Sequence, residues 1–380
     1  MGSEEFRDCF LDKIINESEL KASQYIVDTV SYNKLDIADV YEKIRAHLNL
    51  FIDKKVLMDL TRGKRIMSAG AGIVGAFFGF SLVYIDEEWT DEIKRGLPGT
   101  EKLVMVKNPF EVFGDLELKE ARDFLNNYNY GAALSLYKRI QQKIVDPRNV
   151  EIEALLSETY LQWNSFNFKA ALFKLQLAVN KLQQYHFKTR PEILENLTAL
   201  KILESGKEIS TKKSDEFNLH VIVDLYVNAL RKAEEGIFED SISRLYRVLE
   251  LISQYRLQKY GIETINPNIK KYEEAYKKAT KELYSFEKEL PLEVGLKDGY
   301  ILLFILQDYV LESYSLDDLR QMFGVIRARD MSIIAHGLQL AGEKIFLNMN
   351  QLAKSFIQHV CSHEGKNFNS ILRQHTFVKL

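Results

Sequence analysis

The chain is predicted to be an α+β protein, mostly α, in which a small α/β layer precedes two helical segments. Strand-like and helical patterns alternate over the first 115 residues, and strand signals vanish after Leu116. Only 6 Pro and 19 Gly interrupt 380 residues that are 46% hydrophobic and 28% charged, the balance of a folded and predominantly helical chain. That length exceeds what one core organises, so two or three units are expected, and the pattern along the chain places them at 1–115, 116–210 and 211–380.

In the first unit, Gln24–Val30 reads as a strand, Ile37–Leu50 as an amphipathic helix and Lys55–Asp59 as a second, buried strand. The loop Thr61-Arg62-Gly63-Lys64-Arg65 opens into a Gly/Ala-rich helix, and Leu82–Ile85 and Lys102–Val106 supply two more strands. Strand, helix, strand, helix, strand is the order of a Rossmann-like parallel layer, here a partial one. Such sheets hold ligands at the carboxyl ends of their strands, which makes the loop after Asp59 the natural ligand position.

Residues Ile66–Ile85 run twenty positions without a charge, long enough to cross a bilayer, and Gly75-x-x-x-Gly79 has the spacing of a membrane helix contact. The segment nevertheless turns β-favouring at Ser81-Leu-Val-Tyr-Ile85 and stops at Asp86-Glu87-Glu88. A buried helix followed by a buried strand explains that change of composition, and no membrane association is expected.

Leu118–Tyr128, Tyr130–Ile144, Val150–Trp163 and Phe166–Gln184 read as successive helices of the second unit. Asn129-Tyr130-Gly131-Ala132-Ala133-Leu134 and Asn167-Phe168-Lys169-Ala170-Ala171-Leu172 lie 38 residues apart and share a pattern that hints at stacked hairpins. The polar stretch Ser205–Asp215 reads as a linker. Beyond it, Asn218–Glu234, Phe238–Tyr260 and three or more helices from Ile269 onward form an all-α bundle, with Gly236 as a helix-ending turn residue.

A formal charge of −3 argues against a protein that coats nucleic acid by bulk electrostatics and leaves room for local basic patches. Cys9 and Cys361 have no metal or disulfide spacing, and the acidic opening Met1–Phe6 is no secretory signal, so a reducing cytoplasm fits. The pair His359-x-x-x-His363 lacks a nearby acidic third ligand, and no metal site is predicted. His47, His186, His220, His359, His363 and His375 are scattered and read as surface or core residues.

The segment that carries chemistry is Arg327-Ala-Arg329-Asp330-Met-Ser-Ile-Ile-Ala-His336-Gly337. On a helix, Arg329 and His336 are two turns apart, about 10 Å along the axis, on one face. An imidazole moves a proton near neutral pH, while a guanidinium holds phosphate through two donors. Together they suffice for cleavage of RNA by its own 2′-hydroxyl without a metal. Alone, the spacing fits equally a solvated arginine and a histidine capping a helix before Gly337.

Arg329-Asp-Met-Ser-Ile-Ile-Ala-His336-Gly337 resembles the Arg-x(4–6)-His motif of HEPN ribonucleases. Asp224-Leu-Tyr-Val-Asn228-Ala-Leu-Arg231, Ser243–Glu250, Asn108–Asp115 and Asp59–Ala69 resemble further segments of the CARF–HEPN proteins that accompany type III CRISPR systems. That resemblance touches nearly the whole chain. It implies an endoribonuclease with an RNA substrate, a homodimer that supplies the site in two halves, Arg329 and His336 as the catalytic pair, and Arg327 as a phosphate contact. Asp330 stands where the family commonly has Asn. A carboxylate there either orients His336 and raises its pKa or repels the RNA phosphate.

By the same resemblance, the first unit is a CARF domain and cyclic oligoadenylate its activator, with Thr61, Arg62, Gly63, Lys64 and Arg65 as the ligand loop. Backbone N–H groups at the helix start, with Lys64 or Arg65, suit a phosphate. Arg62 departs from the family's usual Gly, and Ser3-Glu4-Glu5 looks like a segment that follows an opening strand, helix and strand, so the sensor is expected to be a truncated sheet. Three classes stay open: a ligand-gated ribonuclease, a ribonuclease that is ungated or controlled by a partner, and a catalytically silent scaffold.

Overall fold

The computed structural model describes residues 12–26, 36–47, 54–61, 63–90, 95–206, 215–330 and 342–380. Their contacts divide into two compact units, Met1–Lys119 with Lys138–Pro147, and Glu120–Tyr137 with Arg148–Leu380.

The first unit opens with helix α1 (Asp12–Glu17), a 3-10 turn (Ala22–Gln24) and helix α2 (Ile37–His47). Gln24 thus closes a turn rather than starting a strand, and Val27–Val30 lie outside the described residues. Strand β1 (Leu57–Asp59), helix α3 (Arg65–Phe77) and strand β2 (Ser81–Asp86) follow as a parallel crossover, with Leu57 opposite Ser81 and Asp59 opposite Val83. A two-residue hairpin, β3 (Trp89–Thr90) and β4 (Arg95–Gly96), leads to β5 (Lys102–Val106) and the short helix α4 (Pro109–Phe113).

The described sheet has the order β1-β2-β5, and β5 runs antiparallel to β2, so the layer is mixed rather than parallel. Among the described residues a hairpin and no helix joins β2 to β5, whereas a parallel neighbour usually needs a helical crossover. Nor is β1 buried: Leu57 is 59% exposed, because its face of the sheet lies away from α3. Ile85, Leu103 and Met105 share that face by register and are exposed, while Val83 on the same face is buried.

Against the other face, α3 sits so close that side chains are excluded at two glycines. A Cβ on Gly75 would lie 2.5 Å from Leu82, and one on Gly70 would lie 2.9 Å from Val40 of α2. Gly75 therefore serves helix-to-sheet packing and not a membrane helix pair, while Gly79, at φ +71, turns the chain from α3 into β2. No described helix is long and apolar enough to cross a membrane.

Helices α5 (Asp115–Asn126) and α6 (Tyr130–Gln141) each contribute residues to both units. In the second unit they are followed by α7 (Arg148–Asn164), α8 (Phe168–Gln184) and α9 (Pro191–Ser205). The two similar stretches at Asn129 and Asn167 share a local job. Tyr128 (φ 66) and Phe166 (φ 58) are left-handed, and the next residue's side chain accepts a backbone N–H of the new helix, from Ala132 or Ala170.

The bundle comprises α10 (Asp215–Glu234), α11 (Phe238–Lys259), α12 (Glu273–Tyr284), α13 (Leu296–Ile305), α14 (Leu316–Asp330), α15 (Glu343–His363) and α16 (Phe368–His375). Its centre is α11, whose Leu245, Val248, Leu249 and Ile252 are wholly buried. At the end of α11, Arg256 donates to the fully buried Asp308 through Nε (3.1 Å) and Nη2 (2.8 Å), and its guanidinium lies 4.0 Å over the Tyr309 ring. Asp308 also accepts from the Val310 amide and the Tyr260 hydroxyl, which satisfies it without water.

Histidines far apart in sequence meet inside this unit. His220 Nδ1 lies 2.9 Å from His375 Nε2, and His375 Nδ1 lies 3.0 Å from Asp224 Oδ1, which also accepts from the Trp163 indole at 2.7 Å. One tautomer set satisfies the chain: His375 Nδ1–H donates to the carboxylate and His220 Nδ1–H donates to His375. Burial, then His375 and Lys366, push the His220 imidazole from its ordinary 6.5 down to about 3.

Three outcomes are expected. Gly75→Val destabilises the first unit by about 1–3 kcal/mol through overpacking against Leu82, read from thermal melts. Asp308→Ala strands a buried guanidinium and costs about 3–5 kcal/mol in urea unfolding. Because His220 binds its proton more weakly folded than unfolded, stability is complete above pH 6.5 and falls as pH drops from there towards 3. The loss reaches about 2 kcal/mol by pH 5, and His220→Phe removes that part of the acid sensitivity in urea titrations at pH 7 and pH 5.

Candidate functional site

The predicted catalytic segment begins on α14. Leu319, Met322, Phe323 and Ile326 are buried along one stripe of this helix, at the three-to-four spacing that faces a core, and Arg327 is exposed. Arg320 ties the helix to its neighbour: its Nη2 donates to the Glu282 carbonyl at 2.6 Å, at the carboxyl end of α12, where Ser285 turns left-handed (φ 68). The backbone of α14 carries Arg329 and Asp330 in its last turn. Their side chains, and His336 within residues 331–341, lie outside the described residues.

The predicted ligand loop follows β1 at its carboxyl end, as the topology requires. Thr61 is held there by Asp59, whose Oδ1 accepts from the Thr61 amide at 2.9 Å, and the Thr61 hydroxyl accepts from the Ile85 amide at 2.7 Å. This hydroxyl therefore bridges the ends of β1 and β2. Gly63 adopts φ +107, a conformation that side-chain-bearing residues rarely take, and delivers the chain to Lys64, the first flanking residue of α3. No side chain caps that helix end, and Lys64 and Arg65 are both exposed. Exposed cations beside the amide-rich start of a thirteen-residue helix form a surface suited to phosphate. Arg62 lies outside the described residues.

Sequence reading missed the polar cluster that joins His220 and His375 to Asp224. A signal was present in α10: Asp224, Asn228 and Arg231 recur at i, i+4 and i+7, and all three are buried in a helix otherwise rich in apolar residues. Polar residues on a buried stripe need partners, and here those come from elements 16 to 151 positions away. His359 and His363 sit one turn apart on α15, where His363 stacks on Tyr309 with ring centroids 3.8 Å apart. Among the described residues no group of three or more His, Cys, Asp or Glu could hold a metal ion.

Comparison with known proteins finds two family domains in succession. The Csm6 6H domain matches residues 113–204, and the Csm6 HEPN domain matches residues 210–360. The chain is similar to the CRISPR system endoribonuclease Csm6 of Thermus thermophilus, with 29% identity over 348 residues that cover 87% of this chain and 74% of that protein. Among solved structures, Enterococcus italicus Csm6 bound to cyclic hexa-2′-fluoro-hexa-dAMP superposes with a TM-score of 0.49 and 14% identity, covering 92% of this chain and 80% of that one. A HEPN match that spans the Arg329–His336 segment, directly after a 6H match that spans the helices before it, makes this chain a member of the CRISPR-associated CARF–HEPN family.

Proposed function

We propose that the chain is a metal-independent endoribonuclease that cuts single-stranded RNA in the cytoplasm, with Arg329 and His336 as its catalytic pair. The observation that carries this reading is the HEPN match over residues 210–360, because that span includes the whole Arg329-to-His336 segment. The Thermus relative, named as an endoribonuclease, supports the same activity.

In the proposed reaction, the RNA's 2′-hydroxyl loses its proton to an imidazole and attacks the adjacent phosphorus. The bond to the 5′-oxygen breaks, that oxygen takes up a proton, and one product ends in a 2′,3′-cyclic phosphate. Arg329 neutralises the charge that develops on the phosphoryl oxygens, and Arg327, exposed on α14, adds a contact to the RNA backbone. Two protomers each contribute one Arg329 and one His336. Asp330 borders the pair and tunes it, by orienting His336 or by repelling phosphate.

The division into a CARF-like segment (1–115), a helical linker (116–210) and a HEPN segment (211–380) assigns separate tasks to each. Cyclic oligoadenylate binds at Thr61, Arg62, Gly63, Lys64 and Arg65 and regulates the ribonuclease, a reading supported by the exposed cations at the open start of α3. An alternative, a silent or ungated scaffold, is favoured by Asp330 and Arg62, which depart from the family pattern in the two segments that matter most.

Labelled single-stranded RNA incubated with the protein in EDTA is expected to yield fragments with cyclic phosphate ends. His336→Ala lowers the rate at least about a hundredfold. Wild-type cleavage rates in that variant would remove the site, and a complete absence of cleavage in the wild type favours the scaffold. For the sensor, Lys64→Ala weakens binding of cyclic tetraadenylate about tenfold in calorimetry. Equal affinities would take the loop out of the ligand site.

A further inference from the structure

The segment Asp224-Leu-Tyr-Val-Asn228-Ala-Leu-Arg231, which carries part of the family resemblance, has no task in the proposed reaction. Its three polar residues are buried, at 1%, 1% and 4% exposure, and every partner they have lies on another element. Asp224 binds Trp163 of α7 and His375 of α16. Asn228 donates to Asn164 Oδ1 at 3.0 Å, at the end of α7, and accepts from Arg244 of α11. Arg231 donates to the same Asn164 oxygen at 3.3 Å. One face of α10 therefore ties the last turn of a linker helix to the bundle.

From His375 the chain continues across the linker helices, and their side chains grip its backbone. Asn196 of α9 donates to the carbonyls of Gln374 and Thr376, each at 2.9 Å. The Val378 amide donates to the Tyr160 hydroxyl at 3.0 Å, which in turn donates to Asn196. Asn126, at the end of α5, makes a reciprocal pair with Leu380, at 2.7 and 2.8 Å, and Arg190 donates to the Lys379 carbonyl.

Between these grips, the Phe377 ring stacks on Tyr160 with centroids 4.3 Å apart and planes 9° from parallel. The Arg231 guanidinium lies 3.9 Å from the Phe377 ring centre, and Trp163 packs beside it. The last residues thus make, with linker side chains, the backbone bonds that a strand makes with a neighbour, while their aromatic anchor contacts α10. Asn196, wholly buried, spends its side-chain bonds on Tyr160 and on this segment.

We infer that residues 374–380 are a strap that locks the linker helices and the HEPN bundle into one rigid body through the polar face of α10. Resting on the ribonuclease reading above, the consequence is that a signal from the sensor reaches the nuclease as movement of that whole body and not through a hinge between linker and bundle. The strap is then a positioning element. It touches neither RNA nor activator.

The test uses the full chain, as wild type, Phe377→Ala and Asn196→Ala. The first variant removes the ring anchor, and the second removes the grip on the backbone while keeping the ring. Amide hydrogen exchange and RNA cleavage with and without cyclic tetraadenylate are measured on all three. Both variants are expected to raise exchange in α5, α7 and α9 at least tenfold with α11 and α13 still protected. Basal cleavage stays within twofold of wild type, and stimulation by cyclic tetraadenylate falls at least fivefold.

Exchange unchanged in the linker helices would overturn the strap, as would equal acceleration of linker and bundle together, which marks ordinary core loss. Linker exchange that rises while stimulation persists would overturn the lever. If the wild type cleaves no RNA, the nuclease reading fails by itself, and the exchange pattern still decides whether the strap locks the two parts.

Discussion

A carboxylate with 1% of its surface exposed persists in a protein interior only where donors surround it, and Asp224 sets that condition for the second unit. Its Oδ1 takes an indole N–H from α7 and an imidazole from α16, which fixes where both helices end relative to α10. The neighbouring polar groups follow: Asn164 serves Asn228 and Arg231, and Arg244 reaches across from α11. Packing of leucine against leucine tolerates sliding by a fraction of a turn. Directional bonds to a buried charge do not, so this face supplies register where the apolar core supplies cohesion.

The two buried charge systems of the bundle work over different ranges. Arg256 and Asp308 neutralise each other directly, with Tyr260 and the Val310 amide completing the set, and they brace the bundle locally. The Asp224 system is spread over four helices, with His375 and His220 carrying its hydrogen bonds onward. Burial lowers the pKa of His220, which gives the joint a sensitivity to acid that the Arg256–Asp308 pair lacks. Helix α14, which leads to Arg329, is held by neither system. Among its described residues, Leu319, Met322, Phe323 and Ile326 enter the core, Leu316 and Val325 pack against it, and Arg320 bonds to the end of α12.

Much of this architecture was legible in local pattern. Apolar residues recurring at helical spacing mark α2, α7, α10 and α11 to within a few residues. The likeness at Asn129 and Asn167 was visible too, although its meaning, a left-handed residue followed by a capping asparagine, is a matter of backbone angles. Strand direction was not legible at β5, because a period of two is the same in parallel and antiparallel neighbours. His220 and His375, 155 positions apart, share no local signature that announces a contact. Arg329, His336 and the Thr61–Lys64 loop stood out through family resemblance and loop position, whereas spacing alone left them ambiguous.

The open face of the small sheet has its own consequence. Leu57, Ile85, Leu103 and Met105 stand on adjacent strands, and each is at least 36% exposed. Exposed apolar side chains flank the buried Val83 on this face, and such side chains favour association between molecules. A fragment limited to residues 1–119 would carry these side chains into solution, with the exposed Asp59 as a charge on the same face. Its colloidal behaviour, more than its fold, would then govern how it handles in the laboratory.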